Sequence, residues 1–278
     1  MSVQGWKYYN HAMVPDGRPD KEPDLTPVEN GKIWSNIHGE GTPLLARWTT
    51  DWDCGYETGW WYVIKDNSFD VASLKAKRRY EINKGIKNFE VKQINPDEYA
   101  EELYSVQVAA FSAYPPKYRP SVDHDSFVTG VVQWTGALVY GAFFRETGEL
   151  AGYAYLGEEN DCWLDFSVVK TKPLFERFSV NAAIMAYILE SNREFLENGG
   201  VICDGSRSIN HETNFQDYLE KYFGFRKAYC KLHILYNPKI AWVIKALYPI
   251  RKMLLRFDEI GLIHQVNAVL KMEEIVRG

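Results

Sequence analysis

The sequence predicts a mixed α/β (α+β) fold in which an antiparallel meander of three strands leads into a parallel βαβ unit. Two observations indicate it. Apolar-rich runs at 137–145, 149–156 and 162–170 are separated only by short turns, as consecutive antiparallel strands are. A long helix with an apolar stripe is then predicted from Pro173 to about Glu197, followed by a short buried strand over 201–204. Strand, long crossover helix and strand is the order that makes a parallel pair.

The remaining elements are assigned by the same patterns. Their predicted order is an extended loop over 1–42, strands at 44–52 and 59–65, a helix from Phe69 to Gly85 capped by Asp66 or Ser68, a strand at 89–94, helices at 97–113 and 123–134, a helix at 210–223, a strand at 225–236, and helices at 240–257 and 260–275. These predict a subdomain over 1–88, a main domain over 89–236 and C-terminal helices over 237–278.

Composition limits the class of protein. The 278 residues are 46% hydrophobic and 25% charged with a net charge of −5, which is typical of a globular protein and gives no sign of DNA binding. Four scattered cysteines, without ligand spacing, predict no metal site. The chain has no secretory signal and no apolar run of about 20 residues, so we expect a cytoplasmic protein.

Two carboxylates are candidates for acid–base chemistry near the meander. Asp165 lies in mid-strand between Leu164 and Phe166, where an ionised side chain without a function would be costly, and we predict it as a general base. A partly exposed strand position or a structural salt bridge is the alternative. Glu158, just past the second strand, is a second carboxylate that could face the same cleft; a solvated position is its alternative.

Polar residues follow the short parallel strand. The carboxyl end of such a strand is a common ligand site, so Asp204, Arg207 and His211 are predicted to bind substrate, and Asn214 to contact the donor. Helix capping and a surface Asp204–Arg207 pair are the alternatives.

Residues 89–236 resemble the GNAT acyltransferase fold: a strand, two helices, three antiparallel strands, a long helix, a parallel strand, a helix and closing strands. Three motifs resemble its Fem-type branch in particular. They are the basic helix Ser73–Tyr80 leading through Gly85-Ile86 to Phe89-Glu90-Val91, the turn Asp204-Gly205-Ser206, and the segment Tyr218–Phe225, which closes on Lys-x-x-Gly-Phe.

The resemblance implies a donor site and a general acid, and the sequence departs from the family at both. Where GNAT enzymes hold the pyrophosphate of acyl-CoA on a glycine-rich loop, residues 170–177 contain no glycine, which leaves Lys170, Lys172 and Arg177 as phosphate ligands. The general-acid tyrosine position, four residues before Gly224, is Glu220, so its flanking residues Tyr218 and Tyr222 are the candidates.

The function predicted from this resemblance is N-acyl transfer from acyl-CoA to an amino group of a sugar, amino acid or peptide, in the context of cell-envelope or polysaccharide biosynthesis. Two alternatives stay open: transfer from aminoacyl-tRNA, and a catalytically inactive GNAT-like binding module. The basic stretch 75–92 is either a solvated helix face or a guide for a phosphorylated donor or acceptor.

The C-terminal segment 239–257 has an amphipathic pattern with only basic charge, from Lys239 to Arg256. One interpretation is a helix docked on the protein's own sheet. The other is peripheral contact with an anionic membrane, on its inner face, as two pieces divided at Pro249. We expect the first as the ordinary case.

Overall fold

The computed structural model describes residues 3–35, 41–114, 119–209 and 214–278, and of Asn160 and Asn214 it describes the backbone only. Its strands are β1 (Trp6–Tyr9), β2 (Ala12–Pro15), β3 (Leu45–Thr50), β4 (Trp60–Lys65), β5 (Phe89–Gln93), β6 (Ala137–Phe144), β7 (Leu150–Asn160), β8 (Trp163–Thr171), β9 (Val201–Ser206) and β10 (Arg226–Tyr236).

The α-helices alternate with these strands and with short 3₁₀ turns. They are α1 (Thr26–Glu29), α2 (Ala76–Asn88), α3 (Ala100–Ser112), α4 (His124–Val132), α5 (Val180–Ser191), α6 (Arg193–Glu197), α7 (Asn214–Phe223), α8 (Pro238–Leu247), α9 (Arg251–Leu254) and α10 (Gly261–Arg277). No helix within the described ranges is long and apolar enough to span a membrane.

The chain folds into two compact units, each assembled from separate segments. The first contains residues 1–63, 206–215 and 227–278, and the second contains 64–205 and 216–226. In the first unit, β1 and β2 form an antiparallel hairpin, β2 pairs in parallel with β3, and β3 pairs antiparallel with β10.

The β1–β2 hairpin corrects the prediction of an extended loop over 1–42. Its two-residue turn is Asn10-His11, and both residues have left-handed φ angles, 48° and 62°, as a type I′ hairpin turn requires. The turn contains no glycine, which hid it from sequence inspection. Trp6 and Met13 are buried in a cluster with Ile33, so packing of large side chains holds this short hairpin in place.

The second unit contains the predicted meander. β5, β6, β7 and β8 are successive antiparallel neighbours, and β9 joins β8 in parallel. The β6–β7 turn ends at Gly148, whose φ of 73° favours glycine. Helices α3 and α4 pack against this sheet over an apolar cluster that contains Leu103, Val131 and Tyr153. The predicted mixed sheet with a meander and a parallel pair is therefore confirmed.

Helix α2 begins later and ends later than predicted. Its N-cap is Lys75, which makes no side-chain capping hydrogen bond, rather than Asp66 or Ser68. Asp70 caps the preceding 3₁₀ turn by accepting a hydrogen bond from the Ala72 N–H. Gly85 does not end α2, because the helix continues to Asn88. A Cβ atom on Gly85 would lie 2.6 Å from the Ser179 carbonyl oxygen and 2.9 Å from the Ala183 nitrogen, so this glycine allows α2 to approach the start of α5 closely.

The predicted long helix from 173 to 197 is broken twice. A 3₁₀ turn over Pro173–Phe178 ends at Ser179, which adopts a left-handed φ of 67°. The second break is Asn192, a buried residue whose side-chain N–H groups donate to the Ile188 carbonyl and to the Tyr140 hydroxyl. A side chain that bonds the backbone of its own helix competes with helical hydrogen bonds, which explains the division into α5 and α6.

Candidate active site

The strands β8 and β9 separate after only three paired residues. Pairing begins at Trp163 with Val201 and ends at Asp165 with Cys203, although β8 continues to Thr171. Both strands lie within the described residues. The backbone groups of β8 beyond Asp165 therefore face a wedge that opens from this last pair, and an extended ligand can add to them as a strand would.

A β-bulge lies at the start of this wedge. The β7–β8 register changes between the pairs Tyr155–Val168 and Leu156–Phe166, so that Ser167 has no register partner on β7. A bulge bends its strand and redirects the adjacent N–H and C=O groups.

Asp204 is the first residue of β9 after the last pair with β8. Burial raises the pKa of its carboxyl group to about 7, and a hydrogen bond with the Gln216 side chain on α7 opposes part of that increase. A carboxyl group with this pKa exchanges a proton near neutral pH, as a general base or acid requires. Its place at the carboxyl end of a parallel strand is the one the sequence predicts for a ligand site.

Asp165 has a different environment from Asp204. Its side-chain oxygen accepts a 2.9 Å hydrogen bond from the indole nitrogen of Trp163, a residue that is only 1% exposed. Asp165 and Cys203 are register partners in a parallel pair, so their side chains share one face of the sheet. Asp204, the next residue along β9, projects from the opposite face, and the two carboxylates therefore do not form a pair.

Tyr218 and Tyr222 lie one turn apart on α7 and contact α2. Their rings are 5.4 Å apart, and the Arg78 guanidinium lies over the Tyr222 ring, 3.1 Å from its centroid. Arg78 also forms an ion pair with Glu81. Burial raises the pKa of the Tyr218 hydroxyl, so it stays protonated at neutral pH. Helical spacing places this pair on a different side of α7 from Gln216, the partner of Asp204.

The three predicted phosphate ligands already have partners in the described structure. The Lys170 ammonium donates to the Tyr114 hydroxyl at 3.2 Å and lies over the Phe111 ring, and Lys172 forms a 2.7 Å ion pair with Glu149. The exposed Arg177 lies over the ring of the adjacent Phe178.

The N-terminus of α5 is covered rather than open. Val180, its first residue, is fully buried, and Gly85 of α2 packs on the first turn. A helix N-terminus binds phosphate only when its N–H groups can be reached. This geometry disfavours the α5 N-terminus as a pyrophosphate site.

Of the other predicted substrate and donor ligands, the structure describes the side chains of two. Glu158 is exposed near the end of β7. Arg207 belongs to the first unit, where it donates to the Gly59 carbonyl at 2.6 Å and lies over the Trp61 ring. His211 and the side chain of Asn214 lie outside the described residues.

Lys65 is a buried ionisable residue that sequence inspection missed. It is 2% exposed, it donates to the Asn67 side chain and to the Ser68 carbonyl, and burial lowers its pKa. Its ammonium lies 3.6 Å from where a Cβ atom of Gly224 would be, just beyond the end of α7. A cation at a helix C-terminus is favourable, which gives Lys65 a structural role. The signal for it is a charged residue that ends the apolar run of β4.

No group of three or more His, Cys, Asp or Glu side chains that could hold a metal ion occurs within the described ranges.

The fold resembles solved structures at low sequence identity. It matches L-PGS from Bacillus licheniformis with a TM-score of 0.55 and 14% identity, over 87% of this chain and 83% of that one. It matches the C-terminal domain (DUF2156) of a candidate lysylphosphatidylglycerol synthetase from Agrobacterium fabrum with a TM-score of 0.51 and 10% identity, over 86% and 82%. FemX gives a TM-score of 0.48 and 8% identity, over 66% and 63%.

No protein-family model and no curated protein sequence matches this chain. The structural matches concern the fold alone. Together with the order of the strands, they confirm the GNAT-like fold that the sequence predicts.

Proposed function

We propose that this protein is a GNAT-type acyltransferase that uses Asp204 as its general base. The observation that carries the proposal is a half-buried carboxyl group, with a pKa raised to about 7, beside the point where β8 and β9 separate. Active sites are where such pKa shifts and open clefts occur together. In this proposal the acyl-bearing arm of the donor lies in the wedge, along the unpaired edge of β8.

The reaction proceeds by attack of an amino group on the acyl carbonyl. Asp204 takes the proton that the acceptor nitrogen loses, a C–N bond forms, and the carbonyl becomes an oxyanion that backbone N–H groups near the bulge at Ser167 stabilise. Collapse of this intermediate breaks the bond to the leaving group, and Asp204 returns its proton to the departing sulfur or oxygen. Atoms and charges balance without a metal ion.

Asp165 keeps a supporting role in this proposal. Its hydrogen bond with Trp163 fixes the last residues at which β8 and β9 pair, and so the origin of the wedge. Tyr218, with its protonated hydroxyl, is a second candidate acid, although its ring packs against Tyr222 and Phe223 of its own helix.

Two donors are compatible with this chemistry, and the geometry favours aminoacyl-tRNA over acyl-CoA. The α5 N-terminus is covered, and Lys170 and Lys172 have other partners, so the pyrophosphate of CoA lacks its expected ligands. Helix α2 and its N-cap residue Lys75, in contrast, present four exposed cations and an exposed tyrosine, which suits an RNA backbone. These residues are Lys75, Lys77, Arg79, Tyr80 and Lys87. Lysylphosphatidylglycerol, in the name of one structural neighbour, is also an aminoacyl product.

The test is a transfer assay with both donors and a panel of amines. We expect loss of the aminoacyl ester from charged tRNA in the presence of an acceptor, and no thiol release from acetyl-CoA. The Asp204→Asn variant should lose this transfer, while a matched Asp165→Asn variant retains most of it. Thiol release from acetyl-CoA that depends on Asp204 would instead identify the CoA enzyme. Specific binding of either donor without any transfer would favour the inactive binding module.

A further inference from the structure

The segment from α8 to the start of α10 carries apolar side chains on its outer side. Ile244 is buried and anchors α8. Seven other large apolar side chains are exposed, between 41% for Ile250 and 72% for Leu262. We call them the C-terminal apolar surface; its members are Trp242, Ile250, Met253, Leu255, Phe257, Ile260 and Leu262.

These residues lie on elements that pack on one another. Helix α9 contacts both adjoining 3₁₀ turns, Tyr248–Ile250 and Leu255–Phe257, and α10 contacts α9 and the second turn. The helix break at Pro249 is the predicted one. A helix that only covers its own protein needs one apolar face. This segment has buried apolar side chains such as Ile244 on one side and exposed apolar side chains on another. Docking on the protein's own sheet therefore does not account for the exposed ones.

The charges up to Phe257 have one sign, and two acidic residues, Asp258 and Glu259, follow before Ile260. Residues 238–257 contain five basic residues and no acidic residue, in a chain whose net charge is −5. Arg251 is paired with Glu274. Within the described part of the chain, the other four form no ion pair with a carboxylate, and all four are exposed. They are Lys239, Lys245, Lys252 and Arg256.

We propose that the C-terminal apolar surface binds the interface of an anionic phospholipid bilayer. Trp242 and Phe257 enter the boundary between headgroups and acyl chains, and the four cations contact lipid phosphates. A second copy of this chain is a poorer occupant, because the same four cations would face one another across the contact. This inference goes beyond the proposed acyl transfer and does not depend on it.

The test is flotation with vesicles of phosphatidylcholine alone or with one-third phosphatidylglycerol. We expect the protein to float with the anionic vesicles only, and less at high salt. The Lys239→Gln/Lys252→Gln variant should bind about 30-fold more weakly, since each basic residue near the surface contributes about 1 kcal/mol. The Trp242→Ser/Phe257→Ser variant should lose most of its binding. A control with similar exposure, Tyr9→Ser/Val132→Ser, should bind like the wild type.

Several results would overturn the proposal. They are wild-type protein that does not float with the anionic vesicles, equal flotation with neutral and anionic vesicles, and unchanged binding of both surface variants. A dimer in sedimentation that only Trp242→Ser/Phe257→Ser abolishes, without vesicle binding, would assign the surface to a second copy. Circular dichroism melting checks that each variant is folded, and the charge variant tests the proposal even if the aromatic variant is not. Acyl transfer from a soluble donor is measured separately, so its failure leaves this result standing.

Discussion

The last β8–β9 pair and the residue just beyond it place two aspartates in contrasting environments. Asp165, a member of the last pair, accepts a hydrogen bond from the buried indole of Trp163, at the point where the two strands stop pairing. Asp204, one residue past it on β9, projects to the other face and has a pKa raised to about 7 by burial. The contrast teaches that the sequence position of a carboxylate in a strand does not decide its role. Its role depends on how much hydration the carboxyl group loses in the folded chain and on how many hydrogen-bond donors replace the lost water.

The largest expected effect is on catalysis. Replacing Asp204 with Asn should lower kcat/KM about 10³-fold, because general base catalysis typically contributes 10²–10⁴-fold. Asp165→Asn keeps a hydrogen-bond acceptor for Trp163 and should lower it by less than about 10-fold. Initial rates of transfer at pH 8 measure both. Equal losses in the two variants would remove the distinction between the two aspartates.

The second effect is on stability as a function of pH. The carboxyl group of Asp204 has a pKa of about 7 in the folded chain and about 4 in the unfolded chain. Between these values the native state holds a proton that the unfolded state has lost, so the free energy of unfolding falls as pH rises, and the full cost is present above pH 7. Asp204→Asn should therefore be more stable than the wild type at pH 8, by on the order of 3 kcal/mol.

Urea unfolding at pH 5 and pH 8 measures this change. The difference between wild type and Asp204→Asn should grow toward pH 8. The Asp165→Asn protein serves as the control, and an equally large pH-dependent gain in that variant would contradict the assignment of the buried charge to Asp204.

A smaller effect on stability is expected from the hydrogen bond between Trp163 and Asp165. Trp163→Phe removes the indole N–H that donates to Asp165 and leaves most of the buried ring area in place. The loss of a hydrogen bond to a charged group, together with a small cavity, should lower the free energy of unfolding by about 2 kcal/mol. Thermal unfolding measures this change. A loss of transfer as large as that of Asp204→Asn, without a loss of stability, would show that Trp163 and Asp165 take part in the chemistry directly.

The smallest effect concerns the partner of Asp204. The hydrogen bond with Gln216 lowers the Asp204 pKa against the larger effect of burial. Gln216→Leu should therefore raise that pKa further and move the rising limb of the pH–rate profile to higher pH, with little change in the plateau at high pH. A profile that shifts toward lower pH would contradict this geometry.

The sequence predicts the strands of the meander well and the contacts between elements distant in sequence poorly. Alternation of apolar residues and turn residues is a local property, and it locates both ends of β6 and β8 and the start of β7 within one residue. The end of β7 lies four residues beyond the predicted one. The role of Gly85 depends on an approach to α5, nearly a hundred residues away in sequence, and no local pattern reveals it. The break at Asn192 depends in part on a bond with Tyr140 on another element.

The same limit applies to the candidate site. The rule that ligands bind at the carboxyl ends of parallel strands selects Asp204 from the sequence, but it does not separate a base from a substrate ligand. That distinction needs the surroundings of each carboxyl group, which include Gln216 on another element for Asp204 and the orientation of the nearby Trp163 indole for Asp165. Mid-strand position alone favours Asp165, whose cost of burial is offset by a neighbouring indole.

The most direct test of the central claim is the titration of the Asp204 carboxyl group itself. Carbon-13 NMR of aspartate-labelled protein, with Asp204→Asn to assign the resonance, reports its pKa without an acceptor or a donor. The account predicts a carboxyl resonance that titrates near pH 7 and is missing from the variant. A resonance for Asp204 that titrates below about pH 5 would contradict its role as the general base.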